Sequence, residues 1–344
     1  MSVGLVYDPI YLEHDTGQHV ENAARLVEIM ARLEEASLTT KLVSIPPRAA
    51  SLDELSTVHA PGLISYVEAF AQRGGGWLDA DTVLSPASYN AALHAAGGLI
   101  EAVASVMKGD VESAFALVRP PGHHATRWEA MGFCLFNNVA VVAKHALNSY
   151  GLERVLIVDF DVHHGNGTQD AFYNDASVLY FSTHQYPFYP GSGRFDETGA
   201  GPGEGYTVNI PLPGWCSDSD YLKVFEEVLT PVARRFNPEL VLVSAGYDAH
   251  WNDQISGMQL SVTGFAQMVG TLKRLADELC HGRIVLTLEG GYNLPALAAS
   301  VRATFDVLLG SPDIVDPLGQ PPRSVPPHDI DKILQAVKEI HKLA

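Results

Sequence analysis

Short, continuous apolar runs recur along the chain and alternate with longer stretches whose apolar residues fall at helical spacing. The runs are Val3–Tyr7, Ala114–Val118, Val155–Phe160, Val178–Ser182, Glu239–Ser244 and Arg283–Leu288. Between them lie Ala23–Glu35, Ser88–Met107, Asn138–Tyr150, Tyr221–Phe236 and Thr263–Leu279. A strand that is apolar at consecutive positions is buried on both faces, so the alternation predicts an α/β protein with a parallel sheet between helices. No fixed-period repeat, long linker or low-complexity tract precedes about residue 310, so residues 1–310 read as one domain. Residues 311–328, SPDIVDPLGQPPRSVPPH, are proline-rich and should lie extended on the surface. The stretch Asp329–Leu343 then reads as a short amphipathic helix, with Ile330, Ile333, Leu334, Val337 and Ile340 packing on the same body.

The segments at the ends of the apolar runs carry the chemistry. In an open parallel sheet, ligands bind beyond the carboxyl ends of the strands. RPPGHHA comes after Val118, DVHHGNGTQD after Phe160, AGYDAH after Ser244 and EGGYN after Leu288. Asp161 and His163 are two residues apart in an extended strand exit, so their side chains point the same way. Asp248, from another strand end, can supply a third ligand. Three protein ligands and one open position describe a catalytic rather than a structural zinc site. Two carboxylates and an imidazole also suit Fe(II). His123 and His124 come after Pro120-Pro121, which fixes the backbone direction, and Gly122, which permits a close turn. Adjacent imidazoles beside a metal suit acid–base work on an activated water. Tyr292 comes after Gly290 and Gly291, where its hydroxyl can swing toward a developing oxyanion. Each of these residues alone reads more simply as a hydrogen-bonded loop residue. Their convergence is what points to a site.

Composition narrows the partners. Among 344 residues, 47% are apolar and 18% charged, which fits a soluble globular protein with a substantial core. No apolar run reaches the roughly 18 residues that span a bilayer, so a membrane is not expected. The first residues, MSVGLVYDPIYLEHDTG, lack a basic leader region, and the cytoplasm is the expected compartment. A formal net charge of -18 disfavours nucleic acid and would attract a cationic substrate such as a lysine tail or a polyamine. Acidity also serves solubility alone. Cys134, Cys216 and Cys280 are far apart, odd in number and outside any CxxC pair, which argues against disulfides and a cysteine zinc site. Nothing in the pattern fixes the oligomeric state, and a homo-oligomer stays open.

RPPGHHA, GFCLFNN, DFDVHHGNGTQD, SAGYD and EGGY occur in this order. With them the chain resembles the zinc-dependent histone deacetylase and acetylpolyamine amidohydrolase family, from residue 1 to about 310. HHGNGTQDAFY and GFCLFNNVAVVA bring it nearest to class II deacetylases and bacterial deacetylase-like amidohydrolases. The resemblance implies the arginase/deacetylase α/β fold, three layers around a mainly parallel sheet of about eight strands. It also implies that Asp161, His163 and Asp248 hold zinc. His124 would take a proton from the activated water and return one to the leaving amine, His123 would assist electrostatically, and Tyr292 would bond the acetyl oxygen. Asp159 would partner His123 and Asn166 would partner His124. A carboxylate raises an imidazole's pKa and a neutral amide does not, so His123 is expected to tend toward the cation while His124 stays neutral. Phe133 and Tyr189 match the aromatics lining an acyl-lysine tunnel, with Tyr189 where relatives usually carry phenylalanine. Gly132 would offer its carbonyl to the substrate amide, and Gly291, Ile255 and Asp81 complete the expected substrate contacts. Structural monovalent cations, potassium with sodium as the alternative, would occupy two sites. The inner one matches Asp159, Asp161, His163, Ser182 and Thr183. The outer one matches Phe172, Asp175, Val178 and Tyr206, largely through backbone carbonyls.

Two departures bear on substrate. Many relatives carry H-P-E-x-P-E-R near the amino terminus; here His19-Val20-Glu21-Asn22-Ala23-Ala24-Arg25 has lost both prolines. A looser loop is expected, with Arg25 either lining an internal acetate channel or lying on a helix surface. Some polyamine-selective relatives place a glutamate at the tunnel mouth, where this chain has Ile255, although bacterial polyamine enzymes can also carry isoleucine there. No long insertion narrows the entrance between Leu78 and Pro86, where Asp79 and Asp81 are candidates for binding a substrate amide or ammonium. Acetyl- or short-acyl-lysine is therefore the first substrate reading and acetylpolyamine the second. A binuclear manganese ureohydrolase would need further bridging carboxylates, and GYDAHWND offers no DxD pair. A non-catalytic acyl-lysine-binding module is disfavoured by the presence of all three ligands, both histidines and Tyr292.

Overall fold

The computed structural model describes residues 2–322 and 329–343. Among the described residues there are ten strands: β1 (Val3–Val6), β2 (Val43–Ile45), β3 (Gly76–Trp77), β4 (Val83–Leu84), β5 (Ser113–Ala116), β6 (Val155–Asp159), β7 (Val178–Gln185), β8 (Thr207–Leu212), β9 (Leu240–Ala245) and β10 (Ile284–Leu288). Eight of them form one sheet in the order β2-β1-β5-β10-β9-β6-β7-β8. Every pairing in it is parallel. The helices are α1 (Ala24–Glu35), α2 (Leu52–Ser56), α3 (Pro61–Gln72), α4 (Ser88–Lys108), α5 (Asn138–Tyr150), α6 (Asn166–Phe172), α7 (Asp218–Val224), α8 (Thr230–Phe236), α9 (Val262–Leu279), α10 (Leu294–Leu308) and α11 (Asp331–His341). The strands β1, β5, β6, β9 and β10 are buried at every position, as their unbroken apolar runs require.

The order matters for chemistry. The strands β5, β10, β9 and β6 are neighbours, so the four polar segments at their carboxyl ends emerge side by side on one rim. At roughly 4.8 Å between strands, all four reach a common point within a side chain's length or two.

Two sheet strands carry no clear apolar run. The edge strand β8, TVNIPL, is interrupted by Asn209 and Pro211, and a proline is tolerated where one strand edge has no partner. The other edge, β2, is only three residues long and largely exposed. The stretch Tyr221–Phe236, expected as one helix, is divided by a π-turn at Phe225–Leu229 ahead of Pro231. Proline lacks the N–H that would continue the ladder, and Thr230 Oγ1 donates to Phe225 O at 2.8 Å across the break. Near the carboxyl end, α11 lies against β8 with Ile330, Leu334 and Val337 buried, whereas Ile340, expected on the packed face, is 38% exposed. Ion pairs Lys223–Asp331 and Lys338–Glu227 fasten it. Part of the proline-rich stretch expected to be extended, 323–328, lies outside the described residues. Cys134, Cys216 and Cys280 are free and buried. Among the described residues no helix is long and apolar enough to cross a membrane.

Candidate active site

The exit from β6 builds the first part of the site. Asp161 N donates to Asp159 Oδ1 at 3.2 Å and His163 N to Asp161 Oδ1 at 2.9 Å, so each carboxylate holds the backbone two residues on. Asp248 arrives from β9 and accepts Val162 N at 3.0 Å. One ligand atom each from Asp161, His163 and Asp248 lies within 4.8 Å of the others, and all three residues are buried. Glycines make this approach feasible. A β-carbon on Gly246 would fall 2.0 Å from Asp161 Oδ2, and one on Gly290 would fall 2.2 Å from Asp248 Oδ2.

The cluster fits a divalent cation. His163 Nδ1 lies 3.1 Å from Asp161 Oδ1 and 3.3 Å from Asp248 Oδ2, yet that last oxygen is buried without a well-directed hydrogen-bond donor. A buried anionic oxygen left so is costly, and a cation would satisfy it. Burial pulls the His163 imidazole down, but the neighbouring Asp161 and Asp248 carboxylates outweigh this and hold it up to about 9. The paired carboxylates thus attract positive charge. A second group, His123, Cys134 and Glu289, also lies within 4.8 Å. Its donors are already engaged: Glu289 accepts Gly122 N at 2.7 Å, His123 N at 3.2 Å and Ser244 Oγ at 3.1 Å. Burial pushes the Cys134 thiol up, and its Sγ donates to Gly132 O at 3.3 Å.

The loop after β5 places the two imidazoles. His123 Nδ1 lies 3.1 Å from Asp159 Oδ2, and His124 Nδ1 lies 2.8 Å from Asn166 Oδ1. Burial lowers both rings. For His123 the charges of Asp159, Asp161 and Glu289 overcome it and raise the pKa to about 10. For His124 the cationic neighbours His123 and His163 add to burial, and its pKa falls well below the ordinary value. Asn166 Nδ2 faces His124 O at 3.4 Å, which orients Oδ1 toward the ring. His124 therefore carries its proton on Nδ1 and leaves the Nε2 lone pair free.

The EGGY segment after β10 is pinned from two sides. Asp253, which the sequence pattern does not single out, accepts Tyr292 N at 2.7 Å and Asn293 N at 2.9 Å through Oδ2, and Ile255 N at 3.1 Å through Oδ1. Arg25 Nε donates to Gly291 O at 2.7 Å and Nη2 to Glu289 O at 2.5 Å, and its guanidinium lies 4.9 Å from the Tyr292 ring centre. Arg25 is fully buried, which excludes the helix-surface reading. The amino-terminal loop is correspondingly anchored rather than loose. Glu21 takes Arg25 Nη1 at 3.1 Å and both Nε and Nη2 of Arg119, at 2.5 and 2.9 Å. These buried charge pairs supply the constraint that the missing prolines do not.

These parts surround a cavity of about 210 Å³, lined by Asp81, Pro121, His123, His124, Gly132, Phe133, His163, Tyr189, Ile255, Gly290 and Tyr292. Phe133 meets Tyr292 edge-on at 5.8 Å, and Tyr189 meets His124 edge-on at 5.1 Å. Phe188, also unmarked by the sequence pattern, stacks on His163 at 5.3 Å. Gly132 adopts φ +55°, and a β-carbon there would strike His124 Cδ2 at 2.5 Å. Gly291, expected among the substrate contacts, is outside the lining, and its carbonyl is taken by Arg25. At the mouth, Asp79 is spent on the turn between β3 and β4, accepting Asp81 N at 2.9 Å and Thr82 N at 2.6 Å. Asp81 faces the cavity, its pKa raised by burial and by Asp79. A larger cavity of about 740 Å³ lies at the opposite strand ends, between Arg154, Tyr206 and His341. It contains none of the converging groups described above.

The residues matched to monovalent cations fall in two places. Asp159 pairs in register with Ser182 on β7, beside Thr183, whose Oγ1 is buried without a partner, and beside Asp161 and His163. At the second place Phe172 O accepts Asp175 N at 3.0 Å and Tyr206 O accepts Tyr180 N at 2.9 Å, close to Val178. There Lys144 Nζ lies 2.6 Å from Asp175 Oδ2.

Comparison with known proteins places the chain in a family. The sequence model for the histone deacetylase domain matches residues 19–308. A probable deacetylase of Archaeoglobus fulgidus is 42% identical over 297 residues, covering 86% of this chain and 82% of that protein. Histone deacetylase 14, chloroplastic, of Arabidopsis thaliana is 39% identical over 351 residues, covering 96% and 83%. The crystal structure of the HDA15 HD domain superimposes with a TM-score of 0.90 at 37% identity, over 99% of this chain and 94% of that one. The chain belongs to the histone deacetylase family, and is a deacetylase of that family.

Proposed function

We propose that this deacetylase holds one divalent metal, zinc by its donor set with Fe(II) as the alternative, on Asp161, His163 and Asp248, and removes acetyl or short acyl groups from lysine side chains or similar aminoalkyl amides. The observation that carries the reading is the unpartnered, buried Asp248 Oδ2 beside His163 and Asp161, on the rim that also bears His124. When bound, such a metal polarises an acyl oxygen and acidifies water.

The chain's own residues supply the rest. His124, bonded through Nδ1 to Asn166, presents Nε2 as the base that takes a proton from the attacking water and passes it to the departing amine. His123, kept cationic by Asp159, adds positive charge as negative charge builds on the acyl oxygen. Tyr292 donates its hydroxyl to that oxygen. Phe133 and Tyr189 flank the alkyl chain and exclude water, Gly132 O receives the substrate amide, and Ile255 and Asp81 meet the substrate at the mouth. The two monovalent-cation places stiffen the strand ends beneath the cluster, with potassium as the expected ion.

A second substrate class, acetylpolyamines, is favoured by the Asp81 carboxylate at the mouth and by the net charge of -18. A kinetic panel separates the two: acetyl-lysine peptides against acetylated putrescine, cadaverine and spermidine, for wild type and Tyr292→Phe. Metal content is measured on the same samples. Preference for the peptides, one equivalent of metal and a large loss of kcat in Tyr292→Phe are expected. Full activity of Tyr292→Phe on every substrate, or two equivalents of manganese, would overturn the assignment.

A further inference from the structure

The DVHH segment delivers two histidines, and only His163 belongs to the metal cluster. His164, the next residue, is 1% exposed and makes its bonds away from that cluster. Its Nε2 lies 3.0 Å from Gln169 Oε1, which also accepts Asn209 Nδ2 at 2.7 Å. Gln169 Nε2 donates to Glu197 Oε2 at 2.7 Å, which fixes the orientation of the amide. His164 therefore carries its proton on Nε2, and its bare Nδ1 accepts Ser192 Oγ at 2.8 Å. His184 repeats the pattern 4.8 Å away: Nε2 donates to Gly193 O at 2.8 Å, and Nδ1 accepts Ser182 Oγ at 2.9 Å. Glu197 closes the set, accepting Gly193 N at 3.0 Å and Arg194 N at 3.1 Å.

Four of these bonds, from His164, His184 and Glu197, end on Ser192, Gly193 and Arg194, shortly after the segment that carries Phe188 and Tyr189. The fit is close. A β-carbon on Gly193, at φ +90°, would fall 2.5 Å from His184 Nε2 and 2.6 Å from His164 Cγ. None of His164, His184, Gln169 or Glu197 lines the cavity. We propose that these four, three buried and Glu197 half-buried, form a positioning set that fixes the Tyr189 wall from behind, so that the second histidine of DVHH determines which acyl chains the cavity takes. The proposal rests on reading Tyr189 as a wall of the substrate cavity.

The carboxylate–amide bond between Glu197 and Gln169 offers a clean perturbation. Glu197→Ala removes the acceptor of Gln169 Nε2, Gly193 N and Arg194 N together. Glu197→Gln can set its amide oxygen where Glu197 Oε2 stands, keep the Gln169 and Gly193 bonds, and lose only the Arg194 one. In Glu197→Ala, KM for an acetyl-lysine peptide should rise by about fivefold or more while kcat stays within about twofold. The ratio of butyryl to acetyl kcat/KM should rise, metal content should be unchanged, and Glu197→Gln should recover most of these. Ser192→Ala, which cuts only the His164 bond, should give a smaller shift in the same direction. An independent reading uses 15N spectra of histidine-labelled protein. His164 and His184 should both appear as Nε2–H tautomers at neutral pH, with the His164 signal moving in Glu197→Ala and staying near its wild-type position in Glu197→Gln. A bare Nε2 on either ring overturns the proposal, as does an acyl ratio unchanged in Glu197→Ala while Tyr189→Ala alters it. Wild-type protein inert on every acyl-amine would instead refute the functional reading, and the tautomer signature would then decide the positioning set alone.

Discussion

Removing the Asp253 carboxylate should damage catalysis through Tyr292, although Asp253 does not itself line the cavity. Asp253 is 7% exposed and accepts three backbone N–H groups, those of Tyr292, Asn293 and Ile255. A hydrogen bond to a charged acceptor contributes about 1.5–3 kcal/mol, and an orphaned buried donor costs comparably. Asp253→Ala strands three donors at once, but the space left by the carboxylate admits water to some of them. A destabilisation of roughly 3–5 kcal/mol is therefore expected, within the 5–15 kcal/mol typical of folded proteins, so the variant should still fold. Catalytically, the ceiling is set by Tyr292 itself. Loss of one oxyanion donor costs about 10²–10³ in kcat, and displacement of a catalytic group by about 1 Å can cost about 10²-fold. Asp253→Ala should thus lower kcat by about 10- to 100-fold and Asp253→Asn by less.

A double-mutant cycle isolates the route. If Asp253 acts by aiming Tyr292, removing the hydroxyl makes the carboxylate irrelevant to the chemical step. The variant Tyr292→Phe, Asp253→Ala should then be no more than about threefold slower than Tyr292→Phe alone. Saturating kcat with an acetyl-lysine peptide is the assay, and urea unfolding on the same samples gives the stability loss. Losses that multiply across the cycle would refute the reasoning, because Asp253 would then act independently of Tyr292.

The geometry sets three further outcomes. Asn166→Asp puts a carboxylate against His124 Nδ1 and raises that ring's pKa, so the acid limb of the pH–kcat profile should move to higher pH; an unmoved limb would count against His124 as base. Gly132→Ala forces a β-carbon to 2.5 Å from His124 at a left-handed φ, and should cut kcat by about tenfold or more while the thermal midpoint falls only a few degrees; unchanged kcat would show that the ring need not stay in place. His59 is buried, with Nδ1 2.8 Å from Thr126 O and Nε2 accepting Asn137 N at 2.8 Å, and burial holds its pKa down to about 4 from an unfolded value of 6.5. Its contribution is fully present above pH 6.5 and is lost as the pH falls toward 4, by up to about 3 kcal/mol, so His59→Gln should flatten the pH dependence of the urea midpoint across that window.

How far the sequence reveals the fold depends on where each strand lies. The central strands are sandwiched by helices and must be apolar throughout, so Val155–Asp159 and Leu240–Ala245 stand out as runs. The edges escape that demand. Thr207–Leu212 keeps Asn209 for the buried hydrogen bond to Gln169 and tolerates Pro211, and both choices erase the pattern. Likewise, Tyr221–Phe236 has helical spacing throughout and stays helical, and only the local chemistry of Thr230-Pro231 sets a π-turn within it.

The site divides along a similar line. Residues that converge on the cavity are legible because chemistry demands rare types at strand ends, as with Asp161, His163 and Asp248. Residues that aim them are not, because holding a backbone N–H or a carbonyl is work that many polar side chains do in any loop. Asp253 is one more acid five residues after Asp248, and only the structure shows one oxygen holding its own loop at Ile255 and the other committed to the Tyr292 segment. Arg25 and Asp79 show the ambiguity from both directions. The sequence leaves Arg25 between channel and surface, and it is buried under Tyr292; Asp79 has the type of a rim ligand and is consumed by its own turn. A polar residue's type states what it can bond, and only the chain path states whether a backbone group claims it first. On the proposed reading, function depends on supporting residues that composition leaves unmarked, which is why the sharpest tests fall on Asp253 and Glu197 rather than on the proposed metal ligands.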